Sequence, residues 1–259
     1  MISLPYRSVI VDLDRTLLRT DKSVSAYTRS VLAAWRNAGA VLYAATARPE
    51  RAIGDYQRIL RFRSVTTLNG ARTVTPSAVF ENPIDSRSAA SVLEQLHRIG
   101  GAVISVETAN GIFANREIPL WNPAVLEDVR SLAGREKIYK ILVSHPCAAV
   151  DQLRISLPGE VYCTVADGKL LQFMSRAATK WNGIRQMLEQ DQIRPDQAIC
   201  FGDDYDDMEP IRKCGRGVAV SNALACVKEI ADDVAQSNDE DGVARYLAEL
   251  AGFTHSAPV

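Results

Sequence analysis

Apolar runs that stop abruptly at a polar or acidic residue, each followed by a stretch of helical period, set the strongest constraint on how this chain can fold. Ser8-Val9-Ile10-Val11 breaks at Asp12, Val41-Leu42-Tyr43-Ala44-Ala45 breaks at Thr46, and Ala198-Ile199-Cys200-Phe201 breaks at Gly202-Asp203. Short runs that are apolar throughout suit strands buried on both faces, and the helices between them suit crossover connections. The pattern predicts the α/β class with a doubly wound, Rossmann-like parallel sheet. Ligands of such sheets bind outside the carboxyl ends of the strands, which is where the runs break.

The first helix is expected from about 24 to 38, with Ser23 or Ser25 as its N-cap and Gly39 in the C-terminal capping position. Pro49 suits the first turn of a second helix, and Val65 to Leu68 reads as a third strand ending at Asn69-Gly70. From about Phe80 to Ser175 the texture changes to Gly100-Gly101, a hairpin-like Ala109-Asn110-Gly111, and short strands at Lys140 to Ser144, Val161 to Val165 and Leu170 to Phe173. The βα alternation then resumes with a helix from about Thr179 to Glu189, a strand at Val218 to Val220, and helices near Ala223 to Ala231 and Gly242 to Leu250. The expected organisation is a core of residues 1–80 with 177–259, and an inserted α/β domain of residues 81–176.

Composition narrows the partners. Thirty Lys plus Arg stand against 31 Asp plus Glu, so no net field holds the chain on a nucleic acid or an anionic membrane, and a small molecule is the expected partner. No apolar run reaches the roughly 20 residues of a membrane span, and the start runs straight into a strand, which points to the cytoplasm. Cys147, Cys163, Cys200, Cys214 and Cys226 are widely spread with no C-x-x-C pair, so they read as buried free thiols. His97, His145 and His255 are the three bases that could activate a cysteine.

The breaks deliver Asp12 with Asp14, Thr46 with Arg48, and Asp203 with Asp204, Asp206 and Asp207. Carboxylates so close are unfavourable unless a cation lies between them or one is protonated. A hard divalent ion is implied, and Mg2+ fits, because it accepts a few carboxylates and completes its shell with water and phosphate oxygens. Taken singly each motif has an ordinary reading: D-x-D-x-T as a cap or turn, the acidic stretch as a solvated loop, Thr46 as a helix cap, Arg48 as half of a surface pair, Lys180 as a solvent-facing helix lysine. Their joint order along the chain argues against all of these at once.

That order resembles the haloacid dehalogenase phosphatases, in particular the Cof-type branch. Asp12-Leu13-Asp14-Arg15-Thr16-Leu17-Leu18 is similar to the family's first motif, Ala45-Thr46-Ala47-Arg48 to the second, Lys180 to the third, and Gly202 to Asp207 to the fourth. The resemblance implies that Asp12 is the nucleophile and Asp14 the general acid and base. It implies that Asp12, the backbone carbonyl of Asp14 and Asp203 hold magnesium, with Asp207 in support. Thr46 and Lys180 would bind the transferring phosphoryl group, with Asn69, Gly70 and Arg48 on the phosphate side of a small phosphorylated metabolite. The inserted domain would be the cap that reads the substrate, with Glu107, Asn115, Arg116 and Trp121 as candidate contacts. Three positions depart from the pattern: Arg15 and Ala47 where glycine is usual, and Asp206 where Asn is frequent.

The implied activity is hydrolysis of small phosphate monoesters, sugar phosphates foremost, through a phosphoryl-aspartate. A phosphosugar mutase and an inactive phosphosugar-binding regulator are the alternatives. Oligomeric state is not legible.

Overall fold

The structure, a computed structural model, describes residues 4–144, 155–166 and 170–253. Cys147, His145 and His255 lie outside the described residues. The chain divides into two compact units, residues 1–80 with 179–259, and residues 81–178.

In the first unit, strands β1 (Ser8–Val11), β2 (Val41–Ala45) and β3 (Ser64–Thr67) are joined by helices α1 (Ala26–Asn37) and α2 (Gly54–Leu60), and β4 (Arg72–Val74) and β5 (Val79–Glu81) follow. Ser25 caps α1 by accepting from the Thr28 N–H at 2.9 Å, and Gly39 at φ 100° lets the chain leave the helix. Pro49 does not open α2 as expected. It is extended, and its carbonyl accepts the first bond of a short 3-10 turn, Glu50–Ala52, so α2 starts only at Gly54.

After the inserted unit the chain returns through α4 (Lys180–Gln190), β12 (Ala198–Gly202), α5 (Met208–Lys213), β13 (Arg216–Val220), α6 (Ala225–Ile230), β14 (Asp233–Ala235) and α7 (Gly242–Leu250). Within the inserted unit lie α3 (Ser86–His97) and strands β6 (Val103–Thr108), β7 (Gly111–Ala114), β8 (Ala124–Val125), β9 (Ile138–Ser144), β10 (Val161–Ala166) and β11 (Leu170–Ser175).

The core sheet runs β14-β13-β12-β1-β2-β3-β4-β5. From β14 to β3 every pairing is parallel, and β4 turns antiparallel to β3. Alternate residues feed two apolar layers: Val9, Val11, Leu42 and Ala44 pack with α1 and α7, whereas Ile10, Tyr43 and Ala45 pack with α4. Burial on both faces is why these strands read as continuous apolar runs. The chain winds outward from β1 through β2 to β3, then returns to lay β12 on the other side of β1. This puts the reversal of strand order, where doubly wound sheets bind ligands, between β1 and β12.

The inserted unit is a six-stranded sheet in the order β10-β11-β9-β6-β7-β8, antiparallel except at β7 and β8. Helix α3 buries Ala89, Val92, Leu93 and Leu96 against Ile104, Val106, Ile141, Val143, Leu171 and Phe173 on one face. Four cysteines are described and all are free thiols, buried at Cys200 and Cys214 and half-buried at Cys163 and Cys226.

Candidate active site

Strand β1 delivers Asp12, whose N–H still donates to the carbonyl of Phe201 on β12 at 3.1 Å. The chain then curls back on itself: Leu17 N–H reaches the Asp12 carbonyl and Leu18 N–H the Leu13 carbonyl. The curl places Arg15 in left-handed backbone, φ 61°. That conformation suits glycine and costs an arginine about 1 kcal/mol. Asn222 holds it there, donating Nδ2 to the Arg15 carbonyl at 2.7 Å. The same curl turns Thr16 inward, and its buried hydroxyl donates to Asp203 Oδ1 at 2.8 Å.

Strand β12 delivers Gly202 and Asp203. The side chain of Asp207 folds back over this turn, its Oδ2 accepting from the N–H groups of Asp203 at 3.0 Å and Asp204 at 3.2 Å. A Cβ at position 202 would come within 2.3 Å of the Asp207 Cβ, so only glycine allows the fold-back. Lys180 is the first residue of α4, after the N-cap Thr179. Its buried ammonium donates to Asp12 Oδ1 and to Asp207 Oδ1, both at 2.7 Å. The Lys180 stem carries the ammonium to the sheet edge because α4 lies close: a Cβ on Gly70 would stand 1.9 Å from the Thr179 carbonyl oxygen.

Oxygens of Asp12, Asp203 and Asp207 lie within 4.8 Å of one another, and all three residues are buried. Burial pushes the Asp12 carboxyl well above its ordinary range; Asp207 and Asp203 add to this and Lys180 opposes it. Burial and the charge of Asp207 push Asp203 up to about 6. Burial alone would depress the Lys180 ammonium, but Asp12, Asp207 and Asp206 outweigh it and hold the ammonium well above its usual value. Three carboxylates thus crowd together with one buried lysine, which bonds Asp12 and Asp207, and a further cation between them would relieve the repulsion. The donors are all carboxylate oxygens, the chemistry of a hard divalent ion.

The Asp14 side chain turns away from this cluster. Arg48 grips it in a fork, Nε to Oδ2 at 2.6 Å and Nη2 to Oδ1 at 2.7 Å, and Lys22 Nζ adds a bond to Oδ1 at 2.8 Å. Partial burial pushes the carboxyl up, but these two cations outweigh it and hold it at about 2. The Arg48 guanidinium also lies 5.2 Å from the Tyr56 ring centre. The Thr46 hydroxyl accepts from the Arg48 N–H at 3.2 Å. Asn69 is left-handed at φ 54°, its N–H donates to the Thr46 carbonyl, and its Nδ2 donates to the Asp206 carboxylate.

The sequence-stated candidates therefore fall into two groups: Asp12, Asp203, Asp207 and Lys180 form one cluster, whereas Asp14 with Arg48 and Asn69 with Asp206 form pairs beside it. The Asp14 carboxylate is held by Arg48 and Lys22 and is not among the oxygens that lie within 4.8 Å of one another. Sequence reasoning did not assign roles to Thr16 or Lys22. The threonine of D-x-D-x-T was the available signal for Thr16; nothing local pointed to Lys22. In the inserted unit Glu107 is buried and Arg116 exposed. Asn115 is committed to its own sheet edge, bonding Ile104 N–H and the Ala102 carbonyl. Trp121 lines an apolar hollow of about 270 Å³ with Val103, Leu142 and Leu170.

Residues 9–247 match the haloacid dehalogenase-like hydrolases as a family. The chain belongs to the haloacid dehalogenase-like hydrolase family. Its similarity to the 5-amino-6-(5-phospho-D-ribitylamino)uracil phosphatase YitU of Bacillus subtilis is 25% identity, covering 96% of this chain and 98% of that one. A haloacid dehalogenase-like hydrolase from Bacteroides thetaiotaomicron superposes with a TM-score of 0.83 at 23% identity, covering 95% of this chain and 99% of the other. A subclass IIB sugar phosphatase superposes at 0.81 with 18% identity, covering 96% of this chain and 100% of the other. This haloacid dehalogenase-like hydrolase shares their fold, a mixed α/β architecture with a parallel sheet.

Proposed function

We propose that this phosphatase is magnesium-dependent and hydrolyses sugar phosphates and related small phosphate monoesters through a phosphoryl-aspartate on Asp12. The observation that carries the reading is the buried cluster of Asp12, Asp203 and Asp207 around Lys180, at the reversal of strand order between β1 and β12. Asp12, the backbone carbonyl of Asp14 and Asp203 would hold the magnesium, with Asp207 in support. The chemistry magnesium supplies when bound is neutralisation of the charge on the phosphate oxygens.

Asp12 attacks phosphorus, forming an acyl phosphate as the ester P–O bond breaks, and a proton on the Asp14 carboxyl passes to the leaving oxygen. Water then attacks the same phosphorus, Asp14 takes its proton, and the Asp12 carboxylate is regenerated with inorganic phosphate. Held by Arg48 and Lys22, Asp14 is ionised at neutral pH, which suits the second step. To serve the first it has to leave Arg48 or Lys22, and a released Arg48 is free to meet the substrate. Lys180 holds Asp12 in place and balances charge on the transferring group, to which the Thr46 hydroxyl donates a hydrogen bond. The inserted unit contributes to substrate choice. That YitU is a 5-amino-6-(5-phospho-D-ribitylamino)uracil phosphatase and the subclass IIB structure a sugar phosphatase supports sugar phosphates and related small monoesters as the class.

Phosphate release from p-nitrophenyl phosphate tests this reading. Turnover is expected with magnesium, none in excess EDTA, and recovery when magnesium is restored. Full activity in EDTA contradicts it. Equal release of phosphate and consumption of a sugar phosphate distinguishes hydrolysis from transfer of the group within the sugar.

A further inference from the structure

Arg15 stands where the resembling motif has glycine, and the structure shows no packing reason for the arginine. Its backbone is pinned at φ 61° by the Asn222 amide, so glycine would fit with less strain. Its side chain is 59% exposed and makes two long contacts, Nε to Asp203 Oδ2 at 3.7 Å and Nη2 to the Asn222 carbonyl at 3.4 Å. A guanidinium has five N–H donors in a planar fork that matches an oxyanion, and these contacts engage few of them. At 3.7 Å the contact from the exposed guanidinium to the buried Asp203 is long, so the guanidinium can turn its remaining donors to another anion.

Its place is specific. Asp203 belongs to the cluster that includes Asp12, so the guanidinium stands at the rim of the phosphoryl site. The neighbouring cations are more firmly engaged: Lys180 is buried between Asp12 and Asp207, and Arg48 and Lys22 bond Asp14 at 2.6 to 2.8 Å.

We propose that Arg15 is a specificity residue that takes a second oxyanion of the substrate, so that the enzyme favours phosphate monoesters carrying a carboxylate or a second phosphate. This rests on the phosphatase reading above. The second oxyanion displaces the Asn222 carbonyl from the guanidinium, and it stays unchanged while Asp12 takes the first phosphoryl group.

The test compares kcat/KM of the parent, Arg15→Gly and Arg15→Lys on two pairs of esters: a hexose bisphosphate against a hexose monophosphate, and a phosphoglycerate against glycerol phosphate. Arg15→Gly is expected to lose about ten- to hundredfold more on the doubly anionic member of each pair than on its partner, through KM, the range of a lost charge-assisted hydrogen bond. Arg15→Lys should fall between. A response in one pair alone identifies phosphate or carboxylate as the anion recognised. If Arg15→Gly changes both members of each pair by the same factor, the inference fails and the phosphatase reading stands. If the parent releases phosphate from none of the esters, both fail together.

Discussion

Asp12 is one of three buried carboxylates in one cluster and shares the buried Lys180 with Asp207, and this crowding makes its substitution informative in two directions. Asp12→Asn keeps the shape but removes the nucleophile, so kcat is expected to fall at least about a thousandfold. It also removes one of the repelling charges, so without magnesium the variant is expected to melt no lower than the parent, and to lose most of the stabilisation that magnesium gives the parent. Thermal melts with and without magnesium, beside a phosphate-release assay, check both; a variant that melts far below the parent would show that Asp12 serves the fold instead. Thr16 tests the same cluster from outside the chemistry. Thr16→Val preserves volume but leaves Asp203 Oδ1 without its 2.8 Å donor; about 1 to 2 kcal/mol of stability should be lost, and the magnesium concentration for half-maximal rate should rise severalfold. Denaturant melts and a magnesium titration read these out.

The element that aims Lys180 depends on a close approach of backbone at Gly70, and a pair of glycines separates aim from mere stability. Gly70→Ala adds a Cβ 1.9 Å from the Thr179 carbonyl oxygen, at φ 94°, so it should displace the start of α4 and the lysine it carries. Gly39→Ala, also left-handed at φ 100°, meets nothing within 4 Å and should cost about 1 kcal/mol. Position 70 is expected to lose at least tenfold in kcat and several degrees in melting temperature, position 39 only a few degrees. Equal effects on kcat would separate Lys180 from the packing of α4. The strand ends and the α1 caps were legible because local rules act there: an apolar run that breaks at Asp12 or Asp203, a serine before a helix, a glycine after it. Less legible were the pairings that join segments far apart in sequence, Thr16 with Asp203, Arg48 and Lys22 with Asp14, and Asn69 with Asp206. Local preference also misleads where it is overridden, as at Arg15, held left-handed, and at Pro49, which precedes a 3-10 turn instead of opening a helix.

At the scale of the whole molecule, one unit carries the cluster, and the other is a six-stranded sheet with α3 on one face and the Trp121 hollow among its features. If the inserted unit contributes to substrate choice, Trp121→Ala is expected to change kcat/KM unequally across a panel of phosphorylated metabolites; a uniform change would assign selection to the core. The central claim concerns the covalent intermediate, and Asp14→Ala exposes it. The nitrophenol leaving group needs little protonation, so the first step should outlast the second, which lacks its base. Acid quench of Asp14→Ala during turnover of p-nitrophenyl phosphate, followed by mass spectrometry of the peptides, should find phosphate on Asp12 after a burst approaching one equivalent of nitrophenol. Phosphate on another residue, or turnover at the parent rate with no trapped phosphate, would contradict the account.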